Sequence, residues 1–390
     1  MLFRSSPHDQ QTLHVACDMS QMFKSADFGN TWTIYPYTML GGGNYSGHIA
    51  YTSNPSIMYT LSKKGDNTIP VSSLDGGTTW TPIKDPTNGS AYYLFANPHE
   101  SNSLFMTDYS NAYYSIDGGK NWKLIFTEQT PGADGCFIAG AVWDGPNILI
   151  ATQAGIYAST DNGASFKKDA RYTLPAGSGF LSLAHGSNNG LTRLTCITQQ
   201  LTTIYPGITG ADYAGFNNLY TMDIFNGQPS NWISKKSNIP ANTFPFFCKM
   251  AINDPETIYL AGGNSIHHPS VLKSDNAGNT FTSVFLSQNN ANIATGWSGT
   301  GGDRDWTYGE YVLGFSVCAT NPKLLIAADL GFVHTSSDGG ATWKQAYVRQ
   351  TDMNAIGQSI TQKKSYQTSG LENTAAWTLH WTNPTTMLCG

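Results

Sequence analysis

Short runs of alternating apolar and polar residues, broken by Gly, Asn, Asp or Pro, recur from one end of the chain to the other. A period of two with closely spaced turn residues predicts β-strands joined by tight connections, and no stretch of useful length carries a helical period. The strands come in pairs. An apolar strand, a turn often containing Asn-Pro or Asp-Pro, and a second apolar strand follow one another within residues 2–18, 49–61, 94–108, 141–152, 250–262 and 315–329. A third strand then runs into one eight-residue phrase, S-x-D-x-G-x-T-W, and a fourth strand follows it.

The phrase occupies residues 25–32, 73–80, 115–122, 159–166 and 336–343, and a weaker copy with Asn for Asp occupies 274–281. Asp followed by x-Gly is turn chemistry. The carboxylate accepts from nearby N–H and hydroxyl groups, and the Gly takes the positive φ that closes a hairpin. The closing Trp or Phe offers an apolar plug for the gap between adjacent sheets. The phrase therefore predicts a hairpin corner built around a buried carboxylate acceptor. Turn geometry alone accounts for Asp27, Asp75, Asp117, Asp161, Asn276 and Asp338, so their expected role is structural rather than catalytic or calcium-binding.

The interval between Phe166 and Phe281 is too long for one unit. Residues 181–198 supply two strands, and 219–232 supply a hairpin that has lost the Ser/Asp/Thr chemistry. With this unit counted, the closing aromatics are Trp32, Trp80, Trp122, Phe166, Trp232, Phe281 and Trp343, about 52 residues apart on average. Seven units of four antiparallel strands predict an all-β fold, a seven-bladed β-propeller over residues 1–349. Residues 350–369 are polar, and 378–390 repeat the opening of a unit. Segment 350–390 is thus either the closing segment of the ring or the start of a second propeller, the second being the better reading.

Composition supports the all-β assignment: 12% charged residues, 40 Gly and 12% aromatics in 390 residues. A net charge of −5 with 21 basic residues gives no basic patch, which argues against nucleic acid as a partner. No run of 18 apolar residues predicts a membrane span. Residues 1–4 lack the apolar region of a signal peptide, so the chain is either cytoplasmic or, preferably, secreted or cell-surface with its leader removed. The six cysteines lack zinc spacing. Cys17, Cys196 and Cys318 lie in strand-like runs as expected buried thiols, with a Cys17–Cys389 disulfide as the alternative for that pair. No nucleotide or nucleophile-elbow motif is present, and His267-His268 has no third metal ligand nearby, so no cofactor or metal is expected.

Candidate chemistry lies upstream of the phrase. Asp18, Asp66, Asp108 and Asp329 each stand seven residues before its Ser, and Asp18, Asp108 and Asp329 directly follow apolar strands. They are either solvated strand-end acids or a ring of acids at the propeller mouth, suited to polyhydroxylated ligands. Two Gly-rich, aromatic loops join them as substrate-binding candidates. One holds Tyr45 and His48; the other holds Trp297, Asp303, Arg304, Asp305, Trp306, Tyr308 and Glu310. The second either binds ligand or plugs the central channel with its own aromatics.

The phrase resembles the Asp-box, or BNR repeat, of sialidases, sortilin-type receptors, photosystem assembly propellers and xyloglucanases. Sialidases need an arginine triad and an R-I-P motif; this chain has five Arg and no R-I-P. Pro7, the strand-to-acid run 14–18 and the stretch 370–374 resemble the first propeller of the glycoside hydrolase family 74 endoglucanases and xyloglucanases. Met19, Ser20 and Gln21 stand where that family has a Gly-Gly pair. By this resemblance Asp18 is the general base of an inverting hydrolysis. The acid would come from a second propeller, the carboxyls standing roughly 6.5–9.5 Å apart. Two readings stay open. One is a carbohydrate-active propeller, a β-glucan or xyloglucan-like hydrolase or its substrate-binding half. The other is a non-catalytic extracellular module that binds glycan or protein.

Overall fold

A computed structural model describes residues 2–16, 21–42, 48–128, 135–206, 215–295, 311–328, 333–358, 367–371, 379–383 and 386–389. Seven antiparallel sheets follow one another along the chain, as the repeat predicts. Blade 1 comprises Leu2–Ser5, Leu13–Ala16, Met22–Ser25 and Thr33–Ile34. Blade 2 comprises Ala50–Tyr51, Met58–Lys64, Asn67–Ser73 and Thr81–Pro82, and blade 3 Tyr93–Ala96, Leu104–Thr107, Asn111–Ser115 and Lys123–Thr127. Blade 4 follows with Ile138–Asp144, Asn147–Thr152, Gly155–Ser159 and Lys167–Lys168. Blade 5 has the long strands Ser178–Asn188, Leu191–Gln200 and Phe216–Phe225, edged by Gln228–Pro229 and Ile233–Ser234. Blade 6 comprises Thr243–Lys249, Ile258–Asn264, Pro269–Ser274 and Thr282–Ser283. Blade 7 comprises Gly314–Cys318, Asn321–Ala328, Val333–Ser336 and Trp343–Gln345, with Ile293–Ala294 added in parallel on its outer edge. A separate hairpin pairs Leu379–Asn383 with Thr386–Cys389. No described helix is long and apolar enough to cross a membrane.

The core is divided among the seams between blades. Strand alternation sends neighbouring residues to opposite seams: Ile148 and Ile150 pack toward blade 3, while Leu149 and Ala151 pack toward blade 5. Phe105 likewise enters the seam with blade 4, and Leu104 and Met106 the seam with blade 2. Burying one such side chain is worth about 1.5–3 kcal/mol. The described residues form seven seam clusters, and the seventh joins Leu13, Val15, Phe23 and Trp32 of blade 1 to Ile326, Ala328 and Val333 of blade 7. The ring is closed. Cys136, Cys196, Cys248 and Cys318 are buried free thiols. Cys17 lies outside the described residues, as does the side chain of Cys389.

The boxes form the turn between third and fourth strands, with one correction to the expected chemistry. The buried member is the Ser, 1–2% exposed in all six copies, while Asp75, Asp161 and Asp338 are exposed. In blade 2, Ser73 Oγ donates to Asp75 Oδ1 (2.8 Å) and accepts from Gly77 N (2.8 Å). Asp75 then accepts from Thr79 N (2.9 Å) and Thr79 Oγ1 (2.6 Å). The carboxylate stays at the surface because these donors lie on the turn itself, and only the hydroxyl sits beneath it. Hydrogen bonds from Thr79 and Ser73 hold the Asp75 carboxyl down at about 2. Donors from Ser165 and Ser159 do the same for Asp161, again to about 2. Asn276 keeps the geometry as a neutral stand-in. Its Oδ1 accepts from Ser274 Oγ and Thr280 N, both at 2.9 Å, and its Nδ2 donates to Thr280 Oγ1. The backbone needs two successive positive φ values, 71° and 85° at Gly76 and Gly77. A Cβ at the equivalent of Gly77 in blade 4, Gly163, would lie 2.2 Å from Tyr114 Cε1.

The box tryptophan pegs its blade to the preceding one. The indole N–H groups of Trp32, Trp122 and Trp343 donate to the carbonyls of Ala346, Lys84 and Val284, at 2.7–2.9 Å. Trp232 keeps this bond to Tyr172 O (3.2 Å), although blade 5 has no box. The missing corner is replaced by Arg193. This guanidinium, 9% exposed, grips Asp223 with Nε (2.7 Å) and Nη2 (3.0 Å) and reaches Glu256 and Pro255 O of the next blade with Nη1 (2.8 and 2.9 Å).

Candidate functional site

Strand direction reverses at each step, so the first and third turns of a blade lie at one end of the ring. The second turn and the outgoing connector lie at the other. The boxes belong to the first end, where Gly118 N bonds Asn102 O and Gly339 N bonds Lys323 O, both at 2.9 Å. The described strands bracketing residues 17–20, 43–47, 296–310 and 329–332 end or begin at the second end. Asp18, Tyr45, Trp297, Asp303, Arg304, Asp305, Trp306, Tyr308, Glu310 and Asp329 themselves lie outside the described residues. His48 and Asp108 are described.

Asp108 opens the turn after Leu104–Thr107. Its Oδ1 accepts from Ser110 N (2.7 Å) and Asn111 N (2.6 Å), and Oδ2 from Asn111 Nδ2 (3.1 Å) and Tyr113 OH (3.3 Å). Four donors make this carboxylate the brace of its own turn. The turn presents Tyr109, 43% exposed, whose carbonyl accepts from Cys136 N (2.7 Å). A Cβ on Gly135 would lie 2.5 Å from the Tyr109 ring, so only glycine admits the ring there. Tyr92 meets Tyr109 edge-on at 6.2 Å and Tyr93 at 4.9 Å. One blade back, His48 sits edge-on to Phe95 at 5.6 Å. These rings form an aromatic strip where the innermost strands of blades 2 and 3 begin. Tyr92 and Tyr109 escape a sequence search keyed to long Gly-rich loops, although Tyr109 directly follows Asp108.

The seven-residue rule places acids unevenly. In blade 3, Leu104 pairs with Ser115, and Asp108 stands four residues beyond Leu104. In blade 2, Met58 pairs with Ser73, but the hairpin runs on and Asp66 lies at its exposed tip. In blade 4, Ile148 pairs with Ser159, and the matching position holds Thr152. Thr152 Oγ1 donates to Glu128 Oε2 (3.0 Å), and Lys168 Nζ stands 3.9 Å from the same oxygen. An acid therefore reaches this position from the connector of the blade before. Glu128 is 7% exposed, and its N–H donates to Ser110 O in the Asp108 turn (2.9 Å). Burial, then the charges of Glu128 and Asp108, pushes the Cys136 thiol up to about 12, which leaves it unreactive. Beside Lys168 a cleft of about 330 Å³ opens between blades 4 and 5, with buried Ile156, Tyr172, Leu174 and Phe180 below and Ser178 at its side.

His267 and His268 diverge. His267 Nδ1 pairs with Tyr311 OH (2.7 Å), and His268 Nδ1 with Ser287 Oγ (3.3 Å). Among the described residues no group of three His, Cys, Asp or Glu could hold a metal ion.

The family model for the BNR/Asp-box repeat matches residues 113–124, the third strand and box of blade 3. The fold is that of an Asp-box β-propeller. Comparison with curated proteins by sequence finds no match. Among solved structures, this propeller superposes on a GH74 xyloglucanase from Xanthomonas campestris with TM-score 0.66 and 15% identity, over 88% of this chain and 54% of that one. A GH74 enzyme from Niastella koreensis gives 0.65 and 17%, over 89% and 54%. An ancestral GH74 enzyme gives 0.67 and 14%, over 97% and 50%. At such identities the likeness is one of fold. The propeller spans about half the length of these enzymes.

Proposed function

We propose that this propeller is carbohydrate-active and takes a polysaccharide of the β-glucan or xyloglucan class across the end opposite the boxes. The aromatic strip carries this reading. Tyr109, 43% exposed, offers a ring face of the kind that stacks on the apolar faces of sugars. The superposition on one propeller's worth of GH74 enzymes adds support. In the finer form of the proposal, Asp18 is the general base of an inverting hydrolysis. In that form a second propeller, opened within residues 350–390, supplies the acid, and the protein is secreted. The four donors on Asp108 commit that carboxylate to bracing its own turn rather than to bond cleavage, which keeps a non-catalytic glycan-binding module as the second reading.

The test combines binding and turnover. Affinity electrophoresis of the chain against xyloglucan, mixed-linkage β-glucan and xylan is expected to show retardation by a glucan that Tyr109→Ala weakens. Reducing-end release by the full-length protein is expected to fall about 100-fold or more in Asp18→Asn with binding retained. Unchanged turnover in that variant removes Asp18 as base. Binding without turnover selects the module, and no binding to any polysaccharide removes the proposal.

A further inference from the structure

The seam between blades 7 and 1 differs from the other six, since no connector leads from one blade to the next across it. The neighbouring seam shows what a connector does. Residues 284–294 leave blade 6 and lie along the outer edge of blade 7, where Ile293 and Ala294 pair with Trp343 and Lys344. Three contacts fix it there. The Trp343 indole donates to Val284 O (2.7 Å), the Trp343 backbone N–H donates to Asn292 O (2.9 Å), and Asn292 Nδ2 donates to Val284 O (2.9 Å).

The same three contacts recur at the seam that lacks a connector. The Trp32 indole donates to Ala346 O (2.9 Å), the Trp32 backbone N–H donates to Ser369 O (2.8 Å), and Ser369 Oγ donates to Ala346 O (2.6 Å). Val284 and Ala346 are equivalent, each three residues past its own box aromatic. Ser369 thus stands where Asn292 stands. Its segment is anchored on blade 7 by the Val348–Thr368 bridge, by Arg349 N to Gln367 O (2.9 Å), and by Gln367 N to Asp352 Oδ2 (2.7 Å). Leu371 packs on the seam core shared by the two blades. Between them Gly370, at φ +95°, lies so close to blade 1 that a Cβ would stand 2.3 Å from Trp32 O.

We propose that residues 367–371 are a strap that closes the ring, a copy of an inter-blade connector that holds the first blade without a covalent link to it. Releasing the strap opens the molecule at this seam and no other. The two blades it joins are those of the strands Leu13–Ala16, Met22–Ser25, Asn321–Ala328 and Val333–Ser336.

Hydrogen exchange read by mass spectrometry on the full chain tests this. Gly370→Val places a side chain against Trp32 O at a backbone conformation such residues avoid. It is expected to speed exchange in peptides covering Thr31–Ile34 and residues 346–348 by about tenfold or more, with peptides covering 284–294 unchanged. Ser369→Ala, which removes one hydroxyl and leaves the backbone free to fold, is expected to give a smaller change in the same peptides. Unchanged exchange around Trp32 in Ser369→Ala and in any folded Gly370→Val overturns the proposal. So does acceleration of equal size in all seven blades.

Discussion

In blade 3 the corner between third and fourth strands is held by Ser115, Asp117 and Asn121, close together in sequence, with the Ser buried and Asn121 at the surface. In blade 5 the corresponding corner is held by Arg193, Asp223 and Glu256, drawn from two blades and centred on a buried guanidinium. The box is a local device: it shapes one turn, and blade-to-blade attachment is left to the tryptophan. The Arg193 clamp is non-local, because one side chain both fixes its own blade to Asp223 and ties it to Glu256 of blade 6. Damage to a box should therefore be shallow and confined, and damage to the clamp deep and spread over a seam.

The largest contrast is expected from Arg193→Ala. It removes a buried cation and strands two carboxylates, Asp223 at 33% and Glu256 at 53% side-chain exposure. Because water can still reach both acids, the loss should be about 2–3 kcal/mol, below that of a fully buried pair. Urea denaturation would measure it, and a loss under about 0.5 kcal/mol, that of a surface substitution, would show that the clamp does not replace the box. Ser336→Ala comes next. The buried hydroxyl donates to Asp338 Oδ1 and accepts from Gly340 N, both at 2.9 Å, so about 1–2 kcal/mol should be lost with the rest of the ring intact. Proteolysis confined to blade 7 would report this; cleavage spread over several blades would contradict a local role.

The smallest effect is expected from Asn276→Asp, which converts the neutral box into one like the rest. Hydrogen bonds from Thr79 and Ser73 lower the Asp75 pKa from 3.8 to about 2, and the carboxylate introduced by Asn276→Asp should be lowered in the same sense. A carboxyl depressed on folding adds stability that is fully present above its unfolded pKa and is lost as pH falls through the folded one. The variant should thus match or slightly exceed the parent in Tm at about pH 7 and lose that margin between about pH 4 and 2. A margin that grows on acidification would contradict the ionised-box picture.

What could be read from the sequence divides along the same line. The six boxes, the period-two strands and the aromatic pegs are local patterns, and they suffice for seven blades, including Trp232 in the blade without a box. Arg193 could not be read that way. Its partners lie 30 and 63 residues downstream, and nothing adjacent to it marks the pairing. The candidate site behaves similarly. Asp108 follows from spacing, but counting back from the box fails where a hairpin is longer, as at Asp66. Glu128 reaches Thr152 only through folding. The buried position of the box Ser rather than the Asp was also hidden, because both residue types can accept hydrogen bonds within a turn.

Seven separate seam clusters in a closed circle have a topological consequence. Loosening one seam turns the circle into an open row of blades that still holds together through the remaining six. Loosening a second cuts the row into two pieces joined only through the chain itself. Two modest lesions in different seams weaken separate joints and should add, whereas two in the same seam weaken one joint and should depart from the sum. Because alternate residues of one strand serve opposite seams, neighbours such as Phe105 and Met106 fall into the first class, and residues a whole blade apart can fall into the second.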